Sequence, residues 1–157
     1  MSRRQSLLVT ATLAAALTFS LVAAAKLSKV DTSTASFHAT GPAGLGIDGS
    51  TSETTVADDG TKVTITVPLA NLSTGIGLRD KHMKEYLESD TFPNASLEVP
   101  RANLVFPKAG ADTSADAKGT FKLHGKSKEV TFHYTAKLDG SNYAVTGTAT
   151  INLTDYG

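Results

Sequence analysis

Cysteine is absent from the 157 residues. That absence excludes a disulfide framework, a thiolate metal site, a thiol nucleophile and a cysteine able to carry a lipid after an export leader. Stability therefore rests on a buried apolar core. An excess of charge is lacking as well, with 15 Lys and Arg set against 15 Asp and Glu. A long unbroken apolar run is also missing: residues 7–22 are diluted by Thr10, Thr12, Thr18 and Ser20, which argues against a membrane anchor.

What is present at the N-terminus reads as a secretory leader. Arg3 and Arg4 supply a positive start, residues 7–22 an apolar stretch, and Ala23, Ala24 and Ala25 a small-residue cleavage site. Ser2-Arg3-Arg4 also hints at twin-arginine export, although Ser6 stands where a bulky apolar residue is usual. Cleavage makes Lys26 the new N-terminus, places the product in the periplasm or outside the cell, and leaves residues 26–157 as one domain without a membrane span. The leader takes Arg3 and Arg4 with it, so 13 of the 15 basic residues remain against 15 acidic ones. A net charge of that sign gives nucleic-acid binding no electrostatic footing. The short cluster Lys122, Lys126, Lys128 reads as a solvated strand end and turn.

Most of the mature chain alternates at period two, the pattern of strands with one buried face. In residues 62–67, Val63, Ile65 and Val67 point one way and Lys62, Thr64 and Thr66 the other. The upstream partner is expected as one strand over residues 45–56, joined by a turn containing Asp59-Gly60. Further strands are expected around Leu97 and Val99, at Ala102-Leu104-Phe106, at Phe121 and Leu123, over residues 130–138, and as a long last strand over residues 143–153. Residues 108–118, rich in Ala, Asp, Gly and Ser, read as an exposed loop. One helix is expected, capped by Asp80, with Met83, Tyr86 and Leu87 on its apolar side and an end near Ser89, before Phe92-Pro93. Many strands and one helix in a single domain predict an all-β, mainly antiparallel sandwich or barrel, and the long last strand favours the barrel.

Several ordered motifs then narrow the reading. Thr74-Gly75, Arg79-Asp80 and His82 form a Thr-Gly-x-x-x-Arg-Asp-x-His stretch. Asp31 with Ser36-Phe37, Asp90 to Ala95, residues 119–130 with their Gly-x-x-Lys, and the closing Asp155-Tyr156-Gly157 accompany it in order. Together these resemble the YceI-like family of exported lipid-binding proteins across nearly all of the mature chain. The resemblance implies an extended lipocalin-like antiparallel barrel with a helix against it, whose interior holds a long-chain amphiphile such as a polyisoprenoid quinone or polyprenyl lipid. It implies binding or carriage, and no catalysis. Two departures stand out. Relatives usually continue past the Asp-aromatic-Gly motif to a final strand, whereas this sequence stops at Gly157, so it is either a fragment or a barrel with an open seam that invites dimerisation or aggregation. Residues 43–46 also lack the bulkier aromatic pattern of many relatives.

Period two alone does not separate a filled barrel from one that holds lipid. With the resemblance, the residues expected to line a cavity are Val63, Ile65, Val67, Leu97, Val99, Phe121, Leu123, Phe132, Tyr134, Tyr143 and Val145. A protein-interaction module with a filled core is the alternative, and an enzyme acting on a lipid or quinone at Arg79, Asp80 and His82 is a third reading. No nucleophile is placed beside those residues, so they are expected to be structural: Asp80 as cap, Arg79 paired with a carboxylate or carbonyl, His82 pinning the helix to the barrel. His38, His82, His124 and His133 fall on separate elements without paired ligand spacing, so neither a metal nor another cofactor is expected. Gly41 to Gly46 lacks the lysine and following helix of a phosphate-binding loop.

Overall fold

The computed structural model describes residues 26–29, 33–40 and 44–157. The expected leader over residues 1–25 lies outside the described residues, as do Asp31 and the Gly41-Pro42-Ala43 part of the glycine-rich segment. Strands β1 (Ala35–Thr40) and β2 (Gly46–Thr51) form a two-stranded antiparallel sheet. Strands β3 (Thr55–Asp58), β4 (Lys62–Pro68), β5 (Asn94–Pro100), β6 (Thr113–Leu123), β7 (Lys126–Asp139) and β8 (Asn142–Ala149) pair in chain order as a six-stranded antiparallel sheet. That sheet curls into a half-barrel, and helix α1 (Gly77–Tyr86) lies in the connection from β4 to β5. No described helix is long and apolar enough to cross a membrane.

Local chemistry sets the turns. In the β3–β4 turn the Asp59 carboxylate accepts from the Thr61 amide, the Thr61 hydroxyl and the Lys62 amide at 2.7, 2.7 and 2.9 Å. Gly60 supplies the left-handed residue there, at φ +96°. His124 and Gly125, at φ +50° and +72°, form the two-residue β6–β7 turn, the backbone combination that matches the twist of paired strands. Gly125 is required twice over, because a Cβ would stand 2.6 Å from the Phe92 ring. Phe37 covers its cross-strand partner Gly49, leaving no room for a Cβ at that position.

Four expectations about elements change. Residues 45–56 are two strands: β2 pairs with β1 and β3 with β4, broken where the Thr51 hydroxyl accepts from the Glu53 amide at 3.0 Å. Residues 102–106 are not a strand. A short 3-10 turn at Arg101–Asn103 is followed by irregular chain whose Val105 amide and carbonyl are both taken by the Tyr134 hydroxyl, at 2.6 and 3.1 Å. The loop expected over residues 108–118 shrinks because β6 begins at Thr113, where the inward Ala115 and Ala117 oppose the large Tyr134 and Phe132. The last strand ends at Ala149, and Leu153–Tyr156 forms a 3-10 turn in which Asn152 accepts from the Thr154 amide and hydroxyl at 3.2 and 2.9 Å.

The core gathers at the two ends of the concave face. Leu69, Leu72, Ala95, Leu123 and Tyr156 form one cluster, against which Phe37, Met83 and Leu87 pack. Val99, Ala117, Phe132, Tyr134 and Ala136 form the other, joined by Leu97, Leu104 and Ala115.

Candidate ligand-binding face

All eleven residues expected to line a cavity fall on the concave face of the six-stranded sheet. Register aligns Val63 with Val99, Ile65 with Leu97, Leu97 with Phe121, and Val67 with Ala95. On the far side it aligns Phe132 with Ala149, Tyr134 with Gly147, Ala136 with Val145, and Leu138 with Tyr143. Val63, Val99, Leu123, Phe132 and Tyr134 are buried, while Val67, Leu97, Phe121 and Tyr143 are half-buried. Ile65 and Val145 remain 37% and 62% exposed. The concave face is thus an apolar trough, buried over much of its length and open at Ile65 on β4 and Val145 on β8.

Each end of the trough is covered by chain the sequence pattern did not point to. At one end the ring of Tyr156 packs edge-on against Phe121, with centroids 5.6 Å apart, and Leu69 and Leu72 fill the space beside it. Burial pushes the Tyr156 phenol above its ordinary value, with the Asp155 carboxylate adding to the effect. At the other end the chain after Asn103 crosses the face, tied by Tyr134 and by Phe106 on Tyr143, with ring centroids at 5.8 Å. Arg101 lies over Phe106, 5.0 Å from its centroid, and forms an ion pair with Asp58, whose side chain is wholly buried. Burial works to raise the Asp58 carboxyl, but the Leu27 and Gly60 amides and the Arg101 guanidinium outweigh it and hold it below the usual value.

The Thr-Gly-x-x-x-Arg-Asp-x-His stretch is a loop lock. The Asp80 carboxylate accepts from the Thr74 hydroxyl at 2.6 Å, the Thr74 amide at 2.7 Å and the Ser73 hydroxyl at 2.8 Å. These donors, Thr74 foremost, hold it below the ordinary carboxylate value. Ser73 in turn exchanges both backbone hydrogen bonds with Ser50, at 3.0 Å each, so the lock joins the helix to β2. Asp80 is not the cap expected of it: α1 starts at Gly77 after Ile76, and Asp80 sits in its first turn reaching back. His82 is exposed and does not pin the helix, and the half-buried Arg79 forms no ion pair among the described residues. On the apolar side Met83 and Leu87 meet the core, whereas Tyr86 is 63% exposed.

The family model for the YceI-like domain matches residues 14–157. The chain belongs to the YceI-like family. Among its curated relatives, UPF0312 proteins of Pseudomonas putida and Pseudomonas syringae pv. tomato are 27% identical over 118 residues, 70% of this chain. The chain spans 59% of the length of those relatives. Among solved structures, a polyisoprenoid binding domain from Saccharophagus degradans, implicated in plant cell wall breakdown, superposes with a TM-score of 0.61 at 20% identity, over 78% of this chain and 73% of that one. Burkholderia cenocepacia BcnA superposes at 0.60 with 14% identity, over 80% and 84% of the two chains. These likenesses establish a shared fold.

Within this YceI-like chain the closing Asp155-Tyr156-Gly157 motif is the signal that identifies the plug: its aromatic residue is the 2%-exposed Tyr156. Three of the four histidines serve separate contacts, and His82 is exposed. His38 meets Asp48 at 2.7 Å, His133 meets Asp116 at 2.7 Å and Ser114 at 3.1 Å, and the His124 Nδ1–H donates to the Tyr156 carbonyl at 3.0 Å. Among the described residues no three His, Asp or Glu side chains converge as metal ligands.

Proposed function

We propose that this YceI-like chain is an exported carrier of a long-chain amphiphile, a polyisoprenoid quinone or polyprenyl lipid, held along the open trough. The observation that carries the reading is the apolar concave face, which leaves Ile65 on β4 and Val145 on β8 exposed, with a strip of small residues, Gly147 and Ala149, beside Val145 and aromatic side chains at both ends of the face. A chain laid in the strip covers apolar surface at about 25 cal/mol per Å², or about 0.8 kcal/mol per methylene, so no charged contact is needed for affinity. The Saccharophagus degradans domain of like fold supports isoprenoids as the chemical class. The proposed role is to shield the ligand from water rather than to act on it, a reading supported by the engagement of the Asp80 carboxylate with Ser73 and Thr74 in the loop lock. The leader supports a periplasmic or secreted location, checked by an intact-mass measurement that finds Lys26 as the mature N-terminus.

Protein purified from its host and extracted with organic solvent is expected to release about one equivalent of a polyprenyl or quinone lipid on mass spectrometry. A second reading, an interaction module with a filled core, draws on the two plugged ends of the face. An extract free of stoichiometric lipid favours that reading and overturns the carrier.

A further inference from the structure

The strands that give apolar side chains to the concave face give hydroxyls to the opposite one. Register aligns Thr66 with Ser96 and Ser96 with Lys122, so a polar row crosses β4, β5 and β6 in steps of roughly 5 Å. Thr64 and Asn94 flank the row, and the chain at Phe92-Pro93 rises beside it, bordering an open hollow of about 330 Å³. The rim is built in place. The Phe92 amide donates to the Glu88 carbonyl at 2.8 Å, and the Pro93 carbonyl accepts from the Leu69 amide at 2.8 Å. The Phe92 ring stands edge-on to His124, centroids 4.9 Å apart, over the bare Cα of Gly125. A preformed hollow of this size is within the range used for small ligands.

Its electrostatics are one-sided. Among the described residues no Asp or Glu lines the hollow, and Lys122 is the one charged residue that does. The acidic residues nearest in register, Glu98 and Glu129, are engaged by Lys62 at 2.6 Å and Lys118 at 2.9 Å. Lys122 itself forms no ion pair among the described residues. Hydroxyl, amide and ammonium groups from three strands surround the hollow, an arrangement that suits a tetrahedral oxyanion better than a flat carboxylate.

We propose that this hollow binds a small water-soluble phosphomonoester, its phosphate held by Lys122, Thr66 and Ser96 and the rest of the solute lodged against Phe92 and Asn94. The site occupies the opposite face of the strands that form the trough, so it is separate from lipid carriage and stands or falls without it. The raised rim at Phe92-Pro93 sets the hollow apart from a flat membrane-binding surface.

Inorganic phosphate titrated into isotope-labelled protein, with sodium chloride at matched ionic strength as control, is expected to shift the amide signals of Thr64, Thr66, Ser96 and Lys122 saturably. Lys122→Gln, an exposed position on the sheet, is expected to keep the urea midpoint and weaken phosphate about tenfold. Thr66→Val weakens it with the strand shape kept, and Lys126→Gln leaves it unchanged. Shifts that fail to saturate, or that survive Lys122→Gln, overturn the site as an ion atmosphere around exposed lysines. Flotation with phosphatidylglycerol vesicles, without saturable phosphate binding, overturns it in favour of a membrane surface.

Discussion

His124 and Glu88, both with left-handed backbone at φ +50° and +47°, face each other with Nε2 3.3 Å from Oε2. The separation is that of an ion pair, yet the direction is wrong for a hydrogen bond and leaves His124 Nε2 buried without a partner among the described residues. On its other side the ring donates from Nδ1–H to the Tyr156 carbonyl. One side chain therefore ties the helix exit, the β6–β7 turn and the aromatic plug together. His124→Ala is expected to destabilise the fold by about 1–2 kcal/mol, through loss of that hydrogen bond and of the Phe92 edge contact. Urea unfolding followed by tyrosine fluorescence measures it, and an unchanged midpoint would show that the plug holds without the tether.

Two substitutions separate carriage from packing. Val145 is 62% exposed on the trough, so Val145→Asp is expected to keep the fold and abolish lipid retention. Phe132 is 7% exposed within the core, so Phe132→Asp is expected to cost more than about 3 kcal/mol and to unfold the domain. Circular dichroism and lipid extraction on both proteins check the pair. A folded, lipid-loaded Val145→Asp protein removes the trough as the binding surface.

Arg101 and Asp58 form a pair whose side chains are 9% and 0% exposed. Arg101→Ala strands a buried carboxylate and is expected to cost about 3–5 kcal/mol. Removing both charges together, as Asp58→Leu with Arg101→Met, is expected to recover part of that loss, since the uncompensated charge is gone while the Leu27 and Gly60 amides lose their acceptor. Comparing the three unfolding midpoints tests it. A double variant no better than Arg101→Ala would assign the loss to Phe106 packing.

Acid acts on the turn and on the loop lock. The Asp59 carboxyl is lowered from 3.8 to about 2, chiefly by the Thr61 hydroxyl and then by the Lys62 and Thr61 amides. A depressed folded value means its contribution is complete above the ordinary carboxylate value and is lost as pH falls from 3.8 towards about 2. Asp80, lowered by Thr74 and Ser73, has the same sign. Stability measured against pH is therefore expected to fall below pH 4 in the native chain. The fall is expected to be shallower in Asp59→Asn and Asp80→Asn. NMR titration of the Asp59 carboxyl carbon, with a midpoint at its ordinary value, would contradict the assignment.

Where the pattern misled, side-chain size and neighbours explain it. Ala115 and Ala117 are small because Tyr134 and Phe132 occupy the facing positions, so a strand looked like loop. Leu104 and Phe106 alternate as a strand does, yet the Tyr134 hydroxyl takes the backbone groups a neighbouring strand would have used. Asp80 has the chemistry of a cap and a helix beside it, but its carboxylate faces Thr74 and Ser73 because the helix starts three residues before it.

The eleven apolar residues could be assigned to one face from the sequence because alternation is a local property of extended chain: whichever neighbour a strand takes, its odd and even residues stay on opposite sides. The β3–β4 turn was legible for the same reason, since Gly60 meets a local backbone demand. What alternation could not reveal is which members of the face are covered. Leu123 is buried and Val145 open although both belong to it. That difference is made by Leu69, Leu72, Tyr156 and the chain after Asn103, brought from distant positions to the ends of the curled sheet, and only tertiary packing decides where such segments come to rest.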